Sequence, residues 1–351
     1  MIEAEGPIRF DRYMDAVLYR FDWSYYRTAA PGWGAGYLTS PTITDAFGQL
    51  IAKLLSDEAD RIGSNGLRVI EVGPGTGQFA RACLDRMHSL DTAVPWIFVE
   101  PFDGPRAKQQ ETLGDRDVGW VDRIENIEPG PAIVFANEVI DNFPVRVFQV
   151  EDQHRVAEVY VGLSDGVLVE ELHLLSGADE SKIASAATQH LEPGDRFEWN
   201  QHMIDWAGRV GTAMTNGTVI VIDYGDEQPD LWLSRPAGSL VTYGPGSLGT
   251  DPYDSPGRLD ITAHVDFTAL SAGFSSAGCV VDPVITQREL LRSLGINELY
   301  DSIVAEQRNA EAAADHSTSL ALLAERGRLG ALTSRGGLGD LKVLIARKSQ
   351  D

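Results

Sequence analysis

Leu67-Arg68-Val69-Ile70-Glu71-Val72-Gly73-Pro74-Gly75-Thr76-Gly77-Gln78-Phe79-Ala80 is a short apolar strand that runs into three glycines spaced two apart and then into a helix. Gly73, Gly75 and Gly77 permit a tight turn and bring a ligand close to backbone N–H groups at a helix N-terminus. The stretch reads as a nucleotide-cofactor loop. Because dinucleotide folds use a related turn, the surrounding residues have to decide the cofactor.

Outward from the loop, strands alternate with helical stretches. Trp96–Val99 ends on Glu100-Pro101, helical residues follow from Ala107 to Leu113, and Gly119–Val121 is a third strand. Pro131–Ala136 ends on Asn137-Glu138, Thr218–Ile222 ends on Asp223-Tyr224-Gly225, and Leu341–Ala346 closes the chain with a last apolar strand. This order predicts an α/β chain with a parallel, doubly wound sheet and ligands at the carboxyl ends of its strands.

Residues 1–66 are expected to form an N-terminal helical cap that covers cofactor and substrate, with a short helix in Ile8–Tyr26, where Phe10, Met14, Val17, Leu18 and Phe21 recur at helical spacing before an aromatic Tyr25-Tyr26 tail, and another helix over Ala46–Leu55. Residues 67–144 form the cofactor half. Residues 145–200 read as an inserted antiparallel subdomain joined to the main sheet, since Val145–Val150, Arg155–Gly162 and Val167–Leu175 alternate like strands around a Ser164-Asp165-Gly166 turn. Residues 201–351 complete the core. They include a Gly/Pro/Ser-rich stretch, Gln228–Leu259, too long for an inert connection, and a helical region over Ile303–Arg328.

Three details separate the candidate cofactors. The spacing is G-x-G-x-G, with Gln78 where the dinucleotide fingerprint has its third glycine. Glu71 stands two residues before the first glycine, where a carboxylate could meet the ammonium of a methionine moiety. Glu100 can accept two hydrogen bonds from a ribose diol, which both cofactor classes require. No Gly-Lys-[Ser/Thr] follows, so a P-loop is excluded. The loop is therefore read as of the S-adenosylmethionine (SAM) type, held by Glu71, Gly73, Gly75, Gly77, Glu100 and Asn137.

Methyl transfer is an in-line displacement that asks mainly for alignment of a nucleophile with the sulfonium methyl. For a guanidinium acceptor, carboxylates would bind the cation and accept the released proton. Glu138 and Asp141 suit that task, although Asp141-Asn142 could simply start a turn and Glu138 cap a strand. His264 and Asp266 would share a side if extended and could act as base and substrate orienter, or His264 could only pack. Thr39, Ser40 and Pro41 are assigned to the cofactor and Thr42, with Tyr224 and Tyr243, to the acceptor; an ordinary N-cap accounts for Thr39–Asp45 equally well. Trp33, Tyr37, Tyr243 and Tyr253 could wall a cation site or merely anchor loops.

The chain has 351 residues, 43% apolar and 23% charged, as in ordinary globular proteins, and a formal net charge of −23. That charge argues against nucleic-acid binding and favours a cationic acceptor, though acidity also serves solubility alone. Cys83 and Cys279 form no Cys-x-x-Cys or Cys/His cluster, so no metal site or disulfide framework is expected. No apolar run approaches ~18 residues, and the chain is read as cytoplasmic, off the membrane, with a homodimer compatible.

With these residues assembled, the chain resembles the MidA type of SAM-dependent methyltransferases, the family of the mitochondrial complex I assembly-factor arginine methyltransferase. The resemblance runs through Thr39-Ser40-Pro41 with Phe47-Gly48, Glu71–Gly77, Val99-Glu100, Ala136-Asn137-Glu138 with Asp141 and Pro144, Ile222–Gly225, Asp260–Phe267 and Gly339–Leu344. It implies a class I (Rossmann-like) methyltransferase core with an N-terminal cap and an inserted subdomain, and an arginine-directed activity. Two positions depart from the family pattern. Thr42 stands where a Glu is usual, and Tyr243-Gly244-Pro245-Gly246 lacks the usual Arg and His.

The leading functional expectation is N-methylation of a guanidinium on a protein or a peptide-derived product. Methylation of a small metabolite at O or N, a non-catalytic assembly role that retains the SAM pocket, and a dinucleotide oxidoreductase are the alternatives.

Overall fold

The computed structural model describes residues 1–28, 39–63, 65–152, 155–176, 183, 187–244 and 247–349. Trp33, Tyr37, Pro245 and Gly246 lie outside them. The chain divides into two compact units.

The unit that carries the glycine loop comprises Tyr37–Glu138, Arg209–Tyr224 and Phe274–Asp351. Its strands are β1 (Arg68–Val72), β2 (Trp96–Val99), β3 (Val118–Val121), β4 (Gly130–Asn137), β5 (Met214–Asp223) and β6 (Lys342–Lys348). They lie in the order β3-β2-β1-β4-β5-β6, parallel except for β6, with Val280–Val281 and Ile285–Thr286 antiparallel to its outer edge. The order reverses between β1 and β4, and this switch point is where an open parallel sheet binds its ligand. Val72 faces Ala136 across it. The glycine loop after β1 and Asn137-Glu138 after β4 therefore emerge side by side.

Helices α1 (Asp45–Ile62), α2 (Gln78–Ser89) and α3 (Asp103–Leu113) belong to the same unit. Phe47, Leu50, Ile51, Leu55 and Ala59 recur at helical spacing on α1 and are buried. Phe79 of α2 stacks on Phe135 of β4 at 4.2 Å between ring centroids. Burial of such a side chain contributes about 1.5–3 kcal/mol. Gly48 lets α1 and α2 touch, because a Cβ there would lie 2.8 Å from the Ala82 Cβ and 3.1 Å from the Phe79 carbonyl oxygen.

The region expected to be helical over Ile303–Arg328 is two helices, Ile296–Ala312 and His316–Leu332. Asp315 divides them: its carboxylate accepts from the Thr318 N–H at 3.1 Å and starts the second helix, while Ala314 adopts a φ of 57°.

The other unit comprises Met1–Gly36, Val139–Gly208 and Gly225–Gly273. The antiparallel insertion is present and, among the described residues, forms a five-stranded sheet of its own. Arg155–Ser164 is its centre, paired on one side with Arg146–Asp152 and Ile8–Arg9 and on the other with Val167–Leu174; Arg196–Trp199 extends the sheet beyond Arg146–Asp152. Asp165 (φ 51°) and Gly166 (φ 80°) make the two-residue turn, both left-handed as a twisted hairpin requires.

The N-terminal helix also departs from expectation. Ile8 and Arg9 are extended and pair with Val161 and Tyr160, and helix begins only at Phe10. Pro7 disfavours helix at the residue before it, and the open edge of Arg155–Ser164 offers Ile8 backbone partners. From Phe10 the predicted stripe holds as far as Leu18: Phe10, Met14, Val17 and Leu18 pack on Val145, Val147, Val159 and Val161, whereas Phe21 is extended and outside that cluster. The Gly/Pro-rich stretch contains a turn of helix, Asp230–Leu233, and two strands, Val241–Gly244 and Ser247–Gly249, which form a three-stranded sheet with Asp260–Thr262 just beyond it.

Candidate functional site

The turn after β1 is built on left-handed glycines. Gly73, Gly75 and Gly77 have φ of 63°, 54° and 80°, a region that other residues enter only with strain. The Gly73 N–H donates to the Val99 carbonyl at 3.2 Å, which ties the turn to the end of β2. Gly77 is the N-cap of α2, and no side chain among the described residues caps that helix. Its first N–H groups are thus left for a ligand.

Glu100, at the end of β2, is buried. Its Oε1 accepts from the Phe102 N–H at 3.1 Å and its Oε2 from Gln109 Nε2 at 3.2 Å. Burial raises its pKa, while these donors and Arg106 pull the other way. Two hydrogen bonds hold the carboxylate in one orientation, and a carboxylate has lone pairs to spare for a diol. Gln109 carries no signal in the sequence. It sits in α3 with no local pattern to mark it, yet it reaches both Glu100 and the Gly75 carbonyl.

Glu71 points into the sheet's packing and not out of the turn. It is 4% exposed, its Oε2 accepts from Trp96 Nε1 at 2.9 Å, and burial raises its pKa to about 8. These surroundings favour the neutral acid as long as no cation lies beside it. Asn137, at the end of β4, offers a neutral acceptor. Its Nδ2 donates to Glu138 Oε1 at 2.9 Å, and its Oδ1 is buried without a hydrogen-bond partner among the described residues. A buried orphan acceptor is costly unless something donates to it, and an ammonium would do so.

Glu138 takes a φ of 52°, a left-handed conformation unusual outside glycine. Its backbone N–H donates to the Ile222 carbonyl at 2.8 Å, and its Oε1 also accepts from the Ser40 N–H at 3.3 Å. Ser40 is fully buried and its hydroxyl donates to Gln287 Oε1 at 3.0 Å. Thr39 and Thr42 form a capping box on the short helix Ser40–Ile43, so their hydroxyls are engaged with each other and the backbone. Pro41, Thr42 and Thr44 line an open cleft of about 390 Å³, opposite Leu299, Ile303, Glu325 and Arg328. Tyr224 follows β5, and its N–H donates to Asp223 Oδ1 at 2.8 Å.

The remaining predicted residues lie in the other unit. Asp141 is buried in the turn Ile140–Asn142, and its carbonyl accepts from the Ala263 N–H at 2.8 Å. The segment that carries His264 and Asp266 is not one strand: Asp260–Thr262 and Val265–Asp266 belong to different sheets. The His264 N–H donates to Ser239 Oγ at 2.9 Å, and burial, then Arg235, lowers the imidazole pKa to about 4 against the opposing pull of Asp226. Near neutrality it is uncharged. The Asp266 carboxylate accepts from the Ala269 N–H and from Gln228 Nε2, and so caps the helix Phe267–Ser276. Tyr243 lies in Val241–Gly244 opposite Asp260. Tyr253 anchors its loop: its hydroxyl donates to Glu170 Oε1 at 3.0 Å and its ring packs against Phe10 and Tyr13.

A glycine turn at the switch point, a buried carboxylate at the end of β2 and an orphan acceptor beside them are the features that a cradle for SAM would need. A family model described as "Putative S-adenosyl-L-methionine-dependent methyltransferase" matches residues 50–284, more than half of the chain. The chain belongs to this family. It is a SAM-dependent methyltransferase with the Rossmann-like core expected of the MidA type. The Xenopus tropicalis mitochondrial protein arginine methyltransferase NDUFAF7 is 25% identical over 330 residues, spanning 84% of this chain and 74% of the relative. Its Caenorhabditis elegans homologue is 26% identical over 332 residues, with the same shares. A crystal structure of a Burkholderia thailandensis protein bound to S-adenosyl-homocysteine is 27% identical, with a TM-score of 0.88 over 99% of this chain and 89% of that one.

Proposed function

We propose that this SAM-dependent methyltransferase methylates an arginine guanidinium nitrogen on a protein or peptide. The observation that carries the reading is Glu138, a carboxylate fixed at the end of β4 beside the glycine turn by Ser40 and Asn137. Bound SAM supplies an electrophilic methyl on its sulfonium. In our reading Gly73, Gly75 and Gly77 receive the cofactor, with Glu100 on the ribose, Asn137 Oδ1 on the ammonium, and Thr39, Ser40 and Pro41 covering it. Glu71 supports the turn from beneath.

Glu138 would bind the guanidinium, orient a nitrogen and accept its proton as the methyl is transferred, which is a general base's role. Thr42 and Tyr224, of the same unit as Glu138, are assigned as acceptor contacts. We assign His264 and Asp266 to shaping their own part of the chain, because a neutral imidazole of low basicity and a capping carboxylate suit positioning better than proton transfer. The relatives named as protein arginine methyltransferases support the choice of acceptor, as does a net charge of −23. Two unpaired, buried cysteines are compatible with a reducing, cytoplasmic setting.

Thr42 favours a second reading, methylation of a small metabolite, because it stands where a Glu is usual in the family, although Asp45 and Glu325 line the same cleft. Incubation with isotopically labelled SAM and arginine-containing peptides, followed by fragmentation mass spectrometry, decides between the two. Label on an arginine nitrogen is the expected result. Label only on a hydroxyl, carboxylate or amine of a small metabolite would overturn the arginine reading.

A further inference from the structure

Gln109 is fully buried, and all of its polar capacity is directed. Trp120 Nε1 lies 2.9 Å from one end of the amide. An indole N–H can only donate, so the atom that faces it must be the carbonyl oxygen, and this settles which way round the amide stands. The nitrogen is thereby turned toward Gly75 and Glu100. Nε2 has two hydrogens and two acceptors within reach, the Gly75 carbonyl at 2.9 Å and Glu100 Oε2 at 3.2 Å.

The site's two halves meet in this one side chain. Gly75 belongs to the turn after β1 and Glu100 to the end of β2, whereas Gln109 belongs to α3. A Cβ on Gly77 would lie 3.5 Å from the Gln109 Cα, so the bare glycine backbone runs directly against the residue that donates to its neighbour. The Phe102 N–H holds the other oxygen of Glu100. The carboxylate is therefore gripped from two directions, and among the described residues Gln109 is the side chain that links it to the turn.

We infer that Gln109 is a positioning residue that aims the Glu100 carboxylate at the ribose diol of SAM, with the Gly75 carbonyl as its fixed point. The inference rests on the ribose role of Glu100 proposed above. Trp120 serves it in turn by holding the amide against a flip.

Gln109→Met keeps length and packing and removes both donors. The test is calorimetric binding of S-adenosyl-homocysteine and of its 2′,3′-dideoxy analogue, which lacks the diol. The wild type should prefer the diol-bearing ligand, and Gln109→Met should reduce that preference by about tenfold or more, in line with loss of a hydrogen bond to a charged group. In a Glu100→Ala background the same substitution should leave the preference unchanged within about twofold, because the effect passes through Glu100. A preference retained in Gln109→Met, or an equal further loss in the double variant, overturns the proposal.

Trp120→Phe carries the same test through a residue remote from the turn, and covers the case in which Gln109→Met does not fold. Its preference should fall by severalfold, and a wild-type preference there counts against the proposal. Failure of the wild type to bind S-adenosyl-homocysteine at all would sink the cofactor assignment itself. Binding without a diol preference would remove only Glu100 and Gln109 from their roles.

Discussion

The backbone N–H of Ser40 meets Glu138 Oε1 at 3.3 Å, and the two residues lie 98 positions apart in the chain. The contact fixes a carboxylate at the end of β4, beside the glycine turn, while Gln287 holds the Ser40 hydroxyl. A glutamine at 138 can accept the same two hydrogen bonds through its amide oxygen, yet it carries no charge and takes no proton. Glu138→Gln should therefore bind SAM within about twofold of the wild type while kcat falls by about 100-fold or more, the range expected for loss of a general base. Calorimetry and single-turnover methyl transfer measure the two separately. Loss of binding to the same extent as turnover would place Glu138 in the cofactor's grip instead.

Gly77 tests the turn. Its φ of 80° is left-handed, whereas the side chain it would gain meets Gln109 only at ordinary contact distances of 3.5–3.7 Å. Backbone strain, and not a clash, should govern Gly77→Ala, at about 1–2 kcal/mol. Thermal unfolding should show that loss, and SAM affinity should weaken because the N-terminal N–H groups of α2 shift. Unchanged stability and binding together would mean that the turn tolerates another conformation.

The turn and the strand ends that feed it were legible in the sequence because their cause is local. Only glycine enters the left-handed region without strain, and a strand that ends on Glu100 or Asn137-Glu138 announces a carboxyl end. Gln109 was not legible, since nothing on α3 marks one amide among its polar residues, and its partners come from 9 and 34 positions away. Ile8-Arg9 misled for a related reason: helical spacing is a local signal, while the strand they join begins at Arg155. The partner of Glu71 was likewise remote. Glu71 appeared as a charge at the mouth of the site, and only its burial in the fold raises its pKa, against the hydrogen bond from Trp96 one strand over.

His264 carries a prediction against its use as a base. Burial and Arg235 hold its pKa at about 4, below the ordinary 6.5, so the folded protein binds fewer protons than the unfolded chain between those values. Its contribution to stability is present above pH 6.5 and is lost as pH falls through about 4, at up to about 1.4 kcal/mol per pH unit. His264→Gln should lose less stability than the wild type on acidification over this window, measured by urea midpoints. A histidine titration midpoint between pH 6 and 7 assigned to His264 by NMR would refute this and restore it as a candidate base.

Glu71 should show the opposite dependence. Its pKa rises from 4.5 to about 8 on burial, despite the hydrogen bond from Trp96. Between these values the folded protein keeps a proton that the unfolded chain has released. Glu71 therefore contributes stability below pH 4.5, and that contribution is lost as pH rises through about 8, at up to about 1.4 kcal/mol per pH unit. Glu71→Gln stays neutral at every pH and its amide oxygen can still accept from Trp96. Guanidinium midpoints of the two proteins should lie close together at pH 5 and diverge in favour of the glutamine variant toward pH 9. A difference independent of pH would show that Glu71 is charged in the fold, which would restore it as a direct partner for the ammonium of SAM and displace Asn137 from that role.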